Sequence, residues 1–296
     1  MIDTKFEPYL DSSDTSFRGY ACVGTDLDRT MLYSANSMNI PHRIPSDLML
    51  KLVELHNAKP LSYITDNAFM NMDAINKLAA FVPVTTRTEA QYKRIFVPGV
   101  INDPNVSQTQ YAVTTNGAKI LVNGVPDMRW RDFIMSEFEH ASVASIAEVR
   151  EYLELFAGIS GVERWRDAEG VFFTAIVKPE LLPKAALKKA SEWMSERNWK
   201  ISAQGKKIYF IPGFITKGAA FREVVSRIGA DYTISAGDSL LDISLFEASD
   251  IALRPRHGEL EDAEYTLDNL TITNASGIFA GEEITSRMLA QIVSGM

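Results

Sequence analysis

The chain has 296 residues, 46% of them hydrophobic, with a formal net charge of −8. That length and content bury a sizeable core and favour one large domain with a smaller companion, while the negative balance argues against a nucleic-acid footprint or an anionic membrane surface. A single cysteine, Cys22, excludes an internal disulfide and sits in an apolar run, as a core residue does.

Met1 to Arg18 is polar and mixed in charge and reads as a loose tail. It has no hydrophobic signal region, and no later apolar run is long enough to span a bilayer, so a cytoplasmic protein is expected. Tyr20 to Thr30, YACVGTDLDRT, is a short apolar run ending in two carboxylates, Asp26 and Asp28. A buried parallel strand that delivers chemistry at its C-terminal edge has this form. Two such charges ~4 Å apart repel by ~4 kcal/mol at an effective dielectric of ~20, so they call for a cation, a proton or a lysine. On its own the pair also fits a solvated turn or helix cap.

From Met31 to Thr65 the pattern is ambiguous. Leu48, Leu50, Leu52 and Val53 fit helix and strand templates about equally, and a β-hairpin flap beside the site is preferred over a helix. Thr65 or Asp66 caps a helix to about Ala80, Phe81 to Val84 is the second parallel strand, and Arg87 to Ile95 reads as a helix opening at its end. Tyr111 to Thr115 is strand-like, and Asn116-Gly117 and Asn123-Gly124 are tight-turn signals. Trp130 to Phe156 is long and helix-periodic. Strands at Val162 to Trp165, Val171 to Val177 and Trp199 to Ala203, with a helix over Pro183 to Arg197, complete a segment without motif residues.

Ile208 to Ile211 reads as a strand returning to the core, and Thr216 or Lys217 starts a helix to about Gly229. Tyr232 to Ala236 is a strand leading to Asp238 and Asp242; helices at Leu240 to Ala248, Glu259 to Glu264 and Ile278 to Val293 then alternate with strands at Ile251 to Leu253 and Leu270 to Thr273. This alternation specifies an α/β fold with a doubly wound, Rossmann-like parallel sheet. The expected division is a tail over 1–18, a core over 19–124 and 207–296, and an inserted smaller α/β cap over 125–206.

Four motifs in order, Asp26 and Asp28 with Thr30, then Thr85, Lys217, and Asp238 with Asp242, resemble the haloacid dehalogenase superfamily of phosphotransferases. The branch resembled contains the Cof-type sugar phosphatases and sucrose-phosphate phosphatase, whose C2-type cap lies between the second and third motifs. The phrases TDLDRTMLYS, VPVTTRTEAQYKRI, TTNGAKILVNG and RPRHGEL look closer still to members encoded in tellurium-resistance stress operons.

The resemblance implies a Mg²⁺-dependent phosphatase of a small phosphorylated metabolite, sugar- or nucleoside-like. Asp26 is then the nucleophile that forms an aspartyl-phosphate, and Asp28 the general acid, which needs a raised pKa. Asp26, the Asp28 carbonyl and Asp238 make an all-oxygen Mg²⁺ set, while Asp242 binds through a metal water or orients Lys217. Thr30, Thr85, Thr86 and Lys217 would hold the phosphoryl group. Two departures from the wider family stand out: Arg29 where glycine is commonest, and Leu241 in place of a frequent asparagine. Arg29, Arg87, Asn116, Trp130, Arg166 and His257 are the candidates for substrate contact, although His257 equally fits a capping role and Trp130 the packing of the cap. Other readings are a phosphomutase on the same fold and a non-catalytic metal-binding partner in a stress-response system. Length excludes a receiver domain.

Overall fold

A computed structural model describes residues 21–40, 48–98, 110–140 and 142–294; the expected tail, Met1 to Arg18, lies outside them. β1 (Ala21–Thr25) is buried at every position, as a strand covered on both faces must be. It is followed by a hairpin of β2 (Leu50–His56) and β3 (Lys59–Thr65), which settles the ambiguous stretch in favour of the flap. Asn57 and Ala58 form its two-residue turn, both with positive φ (51° and 59°), matching the turn to the twist of the paired strands. Leu50 and Leu52 lie exposed on the hairpin while Val53 is buried, so the apolar residues of this stretch match neither template cleanly.

Thr65 caps α1 (Asp66–Leu78) by accepting from the Ala68 N–H, and β4 (Ala80–Pro83) follows. The helix expected over Arg87 to Ile95 is only one turn, α2 (Glu89–Tyr92), closed by a Thr88/Gln91 capping box. β5 (Tyr111–Thr114), β6 (Lys119–Val122) and β7 (Val125–Pro126) form an antiparallel sheet, joined to the main sheet by a parallel bridge between Val84 and Val113.

The long helix expected from Trp130 to Phe156 is two helices, α3 (Met128–Glu137) and α4 (Ile146–Ala157), the second capped afresh by Ser145. β8 (Val162–Ala168), β9 (Phe172–Val177), α5 (Lys184–Ser195), β10 (Trp199–Gln204) and β11 (Lys207–Pro212) come next. Here the expected boundaries need correction. β11 does not return to the parallel sheet but pairs antiparallel with β9 and β10, so the chain leaves the cap sheet only after Pro212. At the other end β7 pairs with β6, and the Trp130 indole donates to the Gly117 carbonyl at 3.0 Å, so α3 packs on the core side. Strand pairing, invisible to local pattern, decides both points.

Beyond β11, α6 (Lys217–Ile228), β12 (Tyr232–Ala236), α7 (Ile243–Phe246), β13 (Ile251–Arg254), α8 (Glu259–Asp262), β14 (Leu270–Ile272) and α9 (Ile278–Ser294) complete the fold. The main sheet is parallel with the order β14-β13-β12-β1-β4. Register sets Thr25 level with Ala236 and Pro83, so the residues that follow β1, β4 and β12 emerge together at one edge. This is a doubly wound α/β core with a second, four-stranded antiparallel sheet in the order β10-β11-β9-β8. One apolar cluster runs from Val82, Val113 and Ile215 into Phe173 and Trp199 of that second sheet.

Candidate active site

Asp26 leaves β1 with its N–H still donating to the Ala236 carbonyl at 2.9 Å, which keeps its side chain at the sheet edge. Its Oδ2 accepts from the Thr30 hydroxyl at 3.3 Å and its Oδ1 from the Lys217 ammonium at 2.6 Å. Lys217 begins α6, whose preceding Thr216 accepts from the Ala219 N–H, and its side chain is buried. Gly117 fits this junction: with φ at 102°, a Cβ there would stand 2.2 Å from the Thr216 carbonyl oxygen.

Asp242 fills both of its oxygens within the protein. Oδ1 takes the Lys217 ammonium at 2.5 Å, and Oδ2 takes the N–H groups of Asp238 and Ser239 and the Ser239 hydroxyl. Of its two expected roles, the orientation of Lys217 is therefore present in the bond pattern. One oxygen each of Asp26, Asp238 and Asp242 lie within 4.8 Å of one another, a cluster able to hold a metal ion. Burial pushes Asp26 up to about 7, against the pull of Lys217 and with repulsion from Asp242 and Asp28 added. Burial, with repulsion from Asp26 and Asp242 added, holds Asp238 well above the carboxylate range against the pull of Arg29 and Lys217. Such a set is short of positive charge, and all-oxygen donors suit a hard divalent cation.

Asp28 differs from the expectation. Burial raises its carboxyl, but Arg87 first of all, with Lys207 and Lys217, holds it below the usual range. Arg87 Nε and Nη2 each donate to Asp28 at 2.7 Å, a bidentate grip on a side chain still 48% exposed. A raised pKa for Asp28 is thus not observed, because its nearest charge is a cation rather than Asp26.

Thr85 is buried, and its hydroxyl oxygen accepts the Arg87 N–H at 3.1 Å. Thr86 lies against the Tyr209 hydroxyl of β11, which brings the antiparallel sheet over the motifs. Lys207, on the same strand, lies near enough to lower the carboxyl of Asp28. Alternation along the paired strands puts Arg166, Thr174, Tyr209 and Ser202 in one row on this face.

The remaining candidates divide. Arg29 takes φ of 63°, a left-handed conformation that explains why glycine suits the position, and its Nε lies 3.6 Å from Asp238. His257 accepts the Gly277 N–H at Nδ1, which assigns the proton to Nε2, and Nε2 donates to the Arg29 carbonyl at 2.8 Å. Both ring nitrogens are occupied by backbone, so His257 buttresses the Arg29 turn and leaves neither nitrogen free for a ligand. Asn116 is buried at φ 57° in the turn beside Thr216, and Trp130 is a core residue with its N–H satisfied. Sequence reasoning missed Glu54, Ser62, Lys207 and Tyr209, since isolated polar residues in strands carry no motif signal.

No family model and no curated protein matches the sequence. Solved structures do match. The sucrose-phosphatase of Synechocystis sp. PCC6803, in complex with sucrose and phosphate, aligns with a TM-score of 0.59 at 15% identity, covering 91% of this chain and 98% of that one. A HAD subclass IIB sugar phosphatase gives 0.55 at 16%, covering 92% and 98%, and a haloacid dehalogenase-like hydrolase of Bacillus subtilis gives 0.51 at 13%, covering 94% and 93%. The fold is haloacid dehalogenase-like. At these identities the likeness establishes that fold, core and second sheet together, and the tellurium-resistance resemblance rests on the sequence phrases alone. Within the haloacid dehalogenase-like fold, the Asp26 edge of the sheet is the topological place for a ligand.

Proposed function

We propose that the chain is a Mg²⁺-dependent phosphatase acting on a small phosphorylated sugar through an aspartyl-phosphate on Asp26. The observation that carries this reading is the Asp26 carboxylate at the tip of β1, gripped by Lys217 and Thr30 and facing Asp238. The phosphatases that share the fold support it, as does the polar face of β9 to β11 above the site. A Mg²⁺ ion held by Asp26, Asp238 and the Asp28 carbonyl would neutralise the carboxylates and polarise the phosphoryl oxygens.

The protein's own groups account for the rest. Asp26 Oδ attacks phosphorus as the bond to the leaving oxygen breaks, and Lys217 with the hydroxyls of Thr30, Thr85 and Thr86 balances the charge on the equatorial oxygens. Asp28, ionised beside Arg87 in the free protein, has to take up a proton as the substrate binds before it hands one to the leaving oxygen, and as a carboxylate it later takes one from the water that cleaves the acyl phosphate. The bidentate Arg87 contact presets the second of these roles. Arg166 and Lys207, on the sheet face above, are the groups placed to meet a sugar phosphate.

Phosphate release from a panel of phosphorylated sugars and nucleotides, with and without Mg²⁺, tests the reading. Release that needs Mg²⁺ and is lost in Asp26→Asn supports it. Isomer formation without free phosphate would replace it with a phosphomutase, and inertness towards the whole panel would leave metal binding without catalysis.

A further inference from the structure

Glu54 lies where an exposed hairpin strand has no reason to place a buried acid. Alternation along β2 would send Val53 and Glu54 to opposite sides, yet both are buried. The register with β3 shifts between Leu52 and Glu54 and again between Glu54 and Leu55. That irregularity is a β-bulge, a device that re-aims a single side chain next to active sites.

The carboxylate turned inward is 2% exposed and fully engaged. Ser62 Oγ donates to Oε2 at 2.6 Å, Arg87 Nη1 lies 2.9 Å from Oε2, and Arg94 donates to Oε1 from Nη2 at 3.1 Å and Nε at 3.3 Å. Arg87 Nη2 also approaches Ser62 Oγ at 3.4 Å. The planar guanidinium of Arg87 therefore has two sides, one spent on Asp28 and the other on Glu54. Without the second, Arg87 is fixed by its flexible stem and by the very carboxylate it has to place.

We propose that Glu54 is a positioning residue for the reaction: through Arg87 it sets where the Asp28 carboxyl stands beside the leaving oxygen, and it ties that position to the β2-β3 flap. This rests on the reading of the chain as a phosphatase in which Asp28 transfers the proton. The bulge gives the flap a chemical task, since any movement of β2 carries Glu54, and with it Arg87, relative to Asp28.

The test is Glu54→Gln, which keeps the shape and removes the charge, assayed on two esters. A nitrophenolate departs without a proton, whereas an alkoxide such as that of a sugar phosphate needs one. In kcat/KM, which covers the steps up to loss of the leaving group and not the later hydrolysis of the acyl phosphate that both esters share, the variant should lose roughly tenfold or more on the sugar phosphate and little on p-nitrophenyl phosphate. Equal loss on both esters, or none on either, overturns the proposal. If Glu54→Gln does not fold, Ser62→Ala loosens the same carboxylate more gently and should show the same asymmetry. A second readout needs no turnover: exchange of the Arg87 Nε–H with water by NMR, assigned through Arg87→Lys, should be slow in the wild type and faster in Glu54→Gln. Unchanged exchange overturns the proposal, while a wild type inert to every ester with the exchange difference intact would sink only the phosphatase reading.

Discussion

Lys217 bridges Asp26 and Asp242 inside the protein, its ammonium 2.6 Å from one carboxylate and 2.5 Å from the other. One buried cation thus serves two partners, with Asp238 beside them and, among the described residues, the half-exposed Arg29 near enough to add charge. Removing one partner of a buried ion pair usually costs about 3–5 kcal/mol, but here the lysine keeps its second carboxylate.

Asp26→Asn should therefore fold. The amide oxygen still accepts from Lys217, and the repulsion that adds to burial in raising the carboxyl of Asp238 is relieved. Thermal melting in EDTA should give the variant a midpoint equal to or above that of the wild type, with phosphate release abolished. A folded Asp26→Asn protein of normal activity would rule out the covalent mechanism.

Mg²⁺ should raise the melting temperature of the wild type, because a ligand that binds only the folded state stabilises it by mass action, by about 2.7 kcal/mol at a hundredfold excess over Kd. Asp238→Ala should flatten that response, since Asp238 alone of the three clustered aspartates has no bond to Lys217. An undiminished shift in the variant would place the metal elsewhere.

A pH effect follows from His257. Burial lowers its pKa, so the folded state holds that proton less tightly than the unfolded chain does. Its contribution to stability is accordingly full above the ordinary value of about 6.5 and falls as pH drops through that value towards the lower folded one. Protonation would also turn Nδ1 into a donor facing the Gly277 N–H. Denaturant melts near pH 7.5 and pH 5 should show a smaller acid loss in His257→Gln than in the wild type. Identical losses would mean that the buttress does not titrate.

The parallel strands and the edge on which Asp26, Asp238 and Lys217 meet are legible because each lies at the end of an apolar run or at a capped helix start. Tyr232 to Ala236 was delimited to the residue for that reason. What escaped is non-local. Nothing near Lys207 announces that β11 pairs with β9, and nothing in Leu-Lys-Leu-Val-Glu announces a bulge. Asp28 lies below the usual range rather than above it because Arg87, 59 positions on, grips it, whereas its sequence neighbour is the like-charged Asp26. His257 was conspicuous by composition, yet its two backbone partners come from Arg29 and Gly277, on either side of it in the chain.

The cap offers the last prediction. Its sheet is built from β8 to β11, and the segment after α3 is tied to it by the Asn198 amide donating to the Ser142 carbonyl, the Ala144 N–H donating to the Arg197 carbonyl and the Trp199 indole donating to the Ala144 carbonyl. The ends of the insertion lie close together, for the Phe138 and Phe214 rings meet edge to face with centroids 5.0 Å apart. A short polar linker from Glu139 to Gly213 should therefore close the core without displacing Trp130 or Lys217. The excision uncovers Val113 and Ile215, which share an apolar cluster with Phe173 and Trp199, so the shortened protein should be less stable than the full chain. It keeps every residue of the Asp26 cluster and should retain a Mg²⁺ thermal shift and slow hydrolysis of p-nitrophenyl phosphate. Discrimination among sugar phosphates should disappear, because Lys207, Tyr209 and Arg166 leave with the sheet and remote contacts no longer position the ester. A soluble, metal-binding core that still selects its sugar phosphate as the full chain does would show that specificity resides below the antiparallel sheet and that Arg166 and Lys207 do not read the substrate.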